Sequence, residues 1–127
     1  PELKDKLTGN AIRVPTPNVS LAVLVLNINS PVNKDELNNF LKESAFASKY
    51  REIIGYTNSP EAVSTDFYSS PYATTIDSQA TIAEGNQITL YCWYDHEYGY
   101  TKQVLNLTRK VASIHLQRFP KPIDDSV

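Results

Sequence analysis

The sequence predicts an α+β domain: a largely antiparallel mixed sheet with two main helices packed on one face. Three observations carry that expectation. Gln87 to Tyr94 alternates, with Ile88, Leu90, Cys92 and Tyr94 on one side and Thr89, Tyr91 and Trp93 on the other. From Tyr100 the apolar residues recur instead at Val104, Leu107, Val111 and Ile114, which is a helical spacing. Upstream, Asn33 and Glu36 stand where a capping box needs them, ahead of a second helical stripe.

Taken in order, Pro1 to Asn10 reads as a loop closed by Thr8-Gly9-Asn10. Ala11 to Val14 is a short strand pattern, ended by Pro15 and Pro17 because neither can donate to a sheet ladder. Arg13 points away from Ile12 and Val14, and by pattern alone it is a solvated strand arginine. Asn18 to Ser30 is the strongest strand pattern. Val19, Leu21, Val23 and Val25 are apolar, and so are Ala22, Leu24, Leu26 and Ile28, so both faces need cover. One can come from helices of this domain and the other from a further layer or from loops.

Asn33 to about Ser48 is the first helix, with Val32 able to staple against Leu37 and a stripe of Leu37, Phe40, Leu41, Ser44 and Ala45. Arg51 to Tyr56 reads as a strand and Asn58-Ser59-Pro60 as a turn. Val63 to Tyr72 is polar and irregular. Ala73 to Ala83 and Gln87 to Tyr94 are strand runs joined by Glu84-Gly85-Asn86, a hairpin signal. The last helix is expected from Tyr98 to Leu116. The domain then fills 1–116, and 117–127 is a tail.

At 127 residues the chain makes one domain with a real core. An apolar share of 41% fits a globular protein, and a net charge of −2 offers no reason to expect nucleic-acid binding. The longest apolar run, Leu21 to Leu26, is too short to span a membrane, and the polar start Pro1-Glu2-Leu3-Lys4-Asp5 is no signal peptide. The expected location is the cytoplasm. A single cysteine excludes an internal disulfide and a cysteine-based zinc cluster.

Among chemical groups, Cys92 and His96 are close in sequence, but Cys92 shares its strand face with Ile88 and Leu90 and reads as a buried structural thiol. Asp95, His96 and Glu97 are consecutive and converge poorly on one metal ion, so no metal is expected. His115 reads as a core-edge histidine. No glycine-rich dinucleotide fingerprint is present.

Three stretches carry a resemblance. Trp93-Tyr94-Asp95, Glu97 and Gly99-Tyr100 form one; Leu7-Thr8-Gly9-Asn10-Ala11-Ile12-Arg13-Val14-Pro15-Thr16-Pro17-Asn18-Val19-Ser20 form another. Between them lie Gly55-Tyr56-Thr57 and Val63-Ser64-Thr65-Asp66-Phe67. In this order they resemble the C-terminal part of the catalytic domain of phosphorylating glyceraldehyde-3-phosphate dehydrogenases. The resemblance implies that fold, truncated at its N-terminal side, and an NAD-dependent parent enzyme acting on a sugar phosphate and inorganic phosphate.

It also implies roles for particular residues. Arg13 corresponds to the arginine that helps bind inorganic phosphate, whose oxyanion suits a planar guanidinium. His96 stands where the family usually has an Asn that hydrogen-bonds the nicotinamide carboxamide. A histidine can donate one hydrogen bond but not present an amide's paired donor and acceptor. Tyr100 resembles the aromatic beside the nicotinamide pocket. The family's dinucleotide domain and its catalytic cysteine and histidine lie upstream of Pro1, so the chain alone is expected to be inactive. Homo-oligomerisation through the sheet is expected as well. A free-standing binding or assembly module of the same fold, and a fragment of an erythrose-4-phosphate dehydrogenase, are the alternatives.

Overall fold

The computed structural model describes residues 3–114. The chain runs β1 (Ser20–Asn27), α1 (Lys34–Phe46), β2 (Ile54–Thr57), a 3-10 turn (Ser64–Phe67), β3 (Thr74–Asp77), β4 (Ile82–Glu84), β5 (Gln87–Tyr94) and α2 (Tyr98–Val111). These make a five-stranded mixed sheet and two helices, the α+β arrangement the patterns imply. His115 and the tail 117–127 lie outside the described residues.

β5 is the spine. Its whole length pairs antiparallel with β1, from Ser20 opposite Tyr94 to Asn27 opposite Gln87. Its other edge is shared, with β3 meeting it at Trp93 and Cys92 and β4 at Thr89 to Gln87. β2 then joins β3 in parallel, the one parallel pair among the described residues. Gly85, at φ +60°, makes the tight β4–β5 hairpin, where Glu84 pairs with Gln87.

α1 starts on the expected capping box: Asn33 accepts the Glu36 N–H, and the Glu36 carboxylate accepts the Asn33 N–H. Leu37 and Leu41 enter a core with Ile76, Ile88, Leu90 and Cys92. Each such leucine contributes about 1.5–3 kcal/mol by leaving water. α2 is held differently. Only Gly99 of it is buried, while Val104, Leu107 and Val111 are exposed. Gln103 fastens it by donating to the carbonyls of Glu52 and Pro71.

Several sequence expectations shift, each for a local reason. Ala11 to Val14 is exposed and forms no strand, having no ladder partner among the described residues. β1 starts only at Ser20 because Val19 takes a φ of +69°, which breaks the extended run. That conformation in a β-branched residue costs on the order of 1–3 kcal/mol, and Val19 is nonetheless buried, at 4% exposure. β2 begins only at Ile54 because the chain before it is a turn, in which the N–H groups of Arg51, Ile53 and Ile54 go to the carbonyls of Ser48 and Tyr50. The run from Ala73 to Ala83 divides in two at Asp77, whose carboxylate accepts the N–H groups of Gln79 and Ala80. α2 ends at Val111, short of Leu116, where Ser113 at φ +56° stops it and the Ile114 N–H reaches back to Arg109.

The doubly apolar β1 does not find cover on both faces. By register Ala22, Leu24 and Leu26 lie on the side of Cys92, Leu90 and Ile88, where Ala22 packs against the core while Leu24 and Leu26 stay 42% and 38% exposed. Leu21, Val23 and Val25 lie on the opposite side and remain 40%, 50% and 61% exposed.

Candidate functional site

The site is built on the connection from β5 to α2, and Asp95 makes that connection. Although only 3% exposed, it carries a carboxylate with four donors. Oδ1 accepts the N–H groups of Glu97 at 3.0 Å and Tyr98 at 2.9 Å, satisfying the first turn of α2. Oδ2 accepts the Ser69 N–H at 2.9 Å and the Asn18 side-chain amide at 3.3 Å. Burial pushes the Asp95 carboxyl up, but the donors of Tyr98, Ser69, Glu97 and Asn18 more than offset it and hold it below the usual carboxylate range.

His96 follows at the outside of the turn. Its side chain is 58% exposed, and its Nε2 lies 3.8 Å from Glu97 Oε1, itself 78% exposed. An exposed pair at that distance leaves the imidazole free to engage a ligand at little cost. Tyr100, in the first turn of α2, is 69% exposed. His96 and Tyr100 thus both follow the Tyr94 end of β5 in the chain. Arg13 is exposed on the irregular segment before β1, with Asn18 further along that segment bonded to Asp95. No hydrogen bond joins Arg13 to His96 among the described residues.

The wall beside this turn is aromatic. Phe67 stacks on Trp93 with centroids 5.3 Å apart and planes 13° from parallel, and Trp93 Nε1 donates to Asp77 Oδ2. Cys92 faces the core instead. Burial raises its thiol above the ordinary value, against a smaller lowering by its hydrogen bond with Thr74, so it is a poor nucleophile. Among the described residues no cluster of His, Cys, Asp and Glu could hold a metal, and no helix is long and apolar enough to cross a membrane.

From the sequence alone Asp95 reads as part of the Trp93-Tyr94-Asp95 motif and as a poor metal ligand, and neither Asn18 nor Ser69 carries a site signal. An Asp just ahead of a helix pattern is a capping signal, and it could have singled out Asp95. The bonds to Asn18 and Ser69 join distant positions and leave no local trace.

Comparison with known proteins fits this geometry. The profile described as "Glyceraldehyde 3-phosphate dehydrogenase, C-terminal domain" matches residues 1–96, a span that holds Arg13, Asn18, Asp95 and His96. The chain is 46% identical over 121 residues to a glyceraldehyde-3-phosphate dehydrogenase-like protein of Pseudomonas aeruginosa, covering 95% of this chain and 26% of that one. It is 43% identical over 113 residues to glyceraldehyde-3-phosphate dehydrogenase 1 of Bacillus subtilis, covering 88% of this chain and 33% of that one. It matches the Priestia megaterium glyceraldehyde-3-phosphate dehydrogenase at 43% over 114 residues, again 33% of that protein. The chain therefore spans between a quarter and a third of the length of these relatives. With its mixed sheet, its α1-covered core and its capped β5–α2 turn, the chain belongs to the glyceraldehyde-3-phosphate dehydrogenase C-terminal domain family.

Proposed function

We propose that this chain forms the C-terminal part of an NAD-dependent, phosphorylating glyceraldehyde-3-phosphate dehydrogenase of the cytoplasm. In that reading Arg13 binds the inorganic phosphate, and His96 and Tyr100 flank the nicotinamide. The observation that carries it is the β5–α2 turn: Asp95 is buried and fully bonded, while His96 and Tyr100 on the same turn stay exposed. A rigid connection that presents side chains outward is what a ligand-orienting site requires.

The residues present suit the cofactor. His96 offers one ring N–H to a carboxamide oxygen, and Tyr100 an apolar ring edge with a polar tip. NAD, when bound, accepts the hydride taken from the aldehyde carbon. This chain's own part is to orient the ring and to hold phosphate at Arg13, whose fork of donors matches an oxyanion. The nucleophilic thiol, the general base and the dinucleotide domain are supplied by other residues, so the chain alone has no turnover.

The exposed face of β1 supports self-association. Leu21, Val23 and Val25 form a continuous apolar row, the kind of surface that soluble monomers seldom leave open. A second copy covering it would bury about 800 Å² per partner in an interface of standard size. Sedimentation at micromolar concentration then shows an oligomer, and Val23→Lys shifts it toward monomer.

Two kinetic measurements test the site. In the full-length polypeptide, Arg13→Ala should raise the KM for phosphate far more than it changes NAD affinity. Pure 127-residue chain should show no turnover with glyceraldehyde 3-phosphate, NAD and phosphate. An unchanged phosphate KM removes Arg13 from the site, and turnover by the isolated chain overturns the division of labour.

A further inference from the structure

A single buried carboxylate joins three distant parts of the chain around the turn that bears His96. Through Oδ2, Asp95 reaches Ser69 in the loop after the 3-10 turn and Asn18 ahead of β1; through Oδ1 it holds Glu97 and Tyr98 on either side of α2's start. We propose that Asp95 is the positioning residue for the nicotinamide end of the site, fixing the His96 turn against the Asn18–Val19 segment and the Ser69 loop. This rests on the reading of His96 as a nicotinamide contact.

The arrangement is more than a helix cap. Capping needs one oxygen, and Oδ1 alone supplies it to Glu97 and Tyr98. The second oxygen is spent entirely on tertiary bonds. Both of its partners are themselves in uncommon states. Asn18 donates to Asp95 while its own Oδ1 is buried without a partner, so the bond to Asp95 is what orients that carboxamide. The residue next to it, Val19, sits at φ +69° although β-branched and buried. Ser69, on the other arm, also has a positive φ, of 57°. Backbone held in sparsely populated regions on both arms marks a place where the surroundings over-determine geometry. His96 lies in sequence between the carboxylate and the helix it caps, so its backbone cannot shift without straining those bonds.

Asp95→Asn separates the two functions of the carboxylate. The asparagine oxygen can still cap α2, whereas its NH₂ meets two other donors, the Ser69 N–H and the Asn18 amide. In the full-length polypeptide, dissociation constants are measured for NAD and for ADP-ribose, which lacks the nicotinamide ring. Asp95→Asn should weaken NAD between about tenfold and about a hundredfold, the scale of losing one well-placed hydrogen bond to the ligand. ADP-ribose should bind as before. The double change Asp95→Asn with Asn18→Asp restores a donor–acceptor pair and should return NAD affinity toward the parent value. Where Asp95→Asn gives no folded protein, Asn18→Ala removes one of the four bonds, and the same two ligands decide. Equal weakening of NAD and ADP-ribose, or of neither, overturns the inference. His96→Ala is run alongside. If it weakens NAD while Asp95→Asn does not, the inference alone fails. If it leaves NAD unchanged, the reading of His96 fails and takes the inference with it.

Discussion

Gly99 packs so closely on Tyr72 that a methyl group in place of its hydrogen would stand 2.5 Å from the Tyr72 carbonyl oxygen. That is backbone, which cannot swing aside. On the other side of the same tyrosine, a Cβ at Gly55 would meet the Tyr72 ring at 2.7 Å. Tyr72 is thus wedged between β2 and the first turn of α2, and the two glycines are what admit it. Gly99→Ala should therefore lower stability by about 1–3 kcal/mol, the usual cost of overpacking. Gly9→Ala has open space around it and should change little. Thermal unfolding of the two variants side by side checks this.

Phe67 shields one face of Trp93, the sole tryptophan. Removing that ring leaves a gap over the indole and lets solvent in. Phe67→Ala should cost about 3 kcal/mol, at the lower end for a buried phenylalanine. It should also raise the accessibility of Trp93 fluorescence to acrylamide, whereas Phe67→Leu should raise it less. Unchanged quenching in Phe67→Ala would mean that the stack does not persist in solution.

The hydrogen bonds to Asp95 imply an acid-dependent stability with a definite sign. Its folded pKa is depressed below the unfolded value of about 3.9. Such a group stabilises fully above the unfolded value and loses its contribution as pH falls through the folded one. Urea unfolding measured between pH 6 and pH 3, as an experimental range of about three units, should show wild-type stability falling faster than that of Asp95→Asn. Parallel curves would show that the bonds to the carboxylate are no stronger in the folded state than those to water.

Cys92 provides a probe of the core. Burial raises its thiol and the sheet covers it. Iodoacetamide at neutral pH should label it very slowly in the folded protein and rapidly in urea, because only the thiolate attacks. Fast labelling under native conditions would show that β5 opens readily around it.

The sequence by itself determined the elements whose cause is local. Alternation in β5 put Ile88, Leu90 and Cys92 on one face, and that is the face α1 covers. Asn33 and Glu36 carried α1's start in four residues, and Gly85-Asn86 carried the hairpin. The motif around His96 was legible too, because its residues are contiguous. Only the tertiary structure decided what depends on partners far along the chain. Ala11 to Val14 has the composition of a strand but no neighbour to pair with among the described residues, and a strand without a ladder leaves its N–H groups to water. Asp77 bent a run that looked continuous, since its side chain offered the backbone a better acceptor than the next strand did. Asp95 looked like one of two acids on a turn. Its place as the tie between Asn18, Ser69 and α2 exists only once β1 lies beside β5 and sets Ser20 opposite Tyr94. A buried carboxylate gathers whichever donors the fold brings within reach, and no spacing along the sequence records which ones those are.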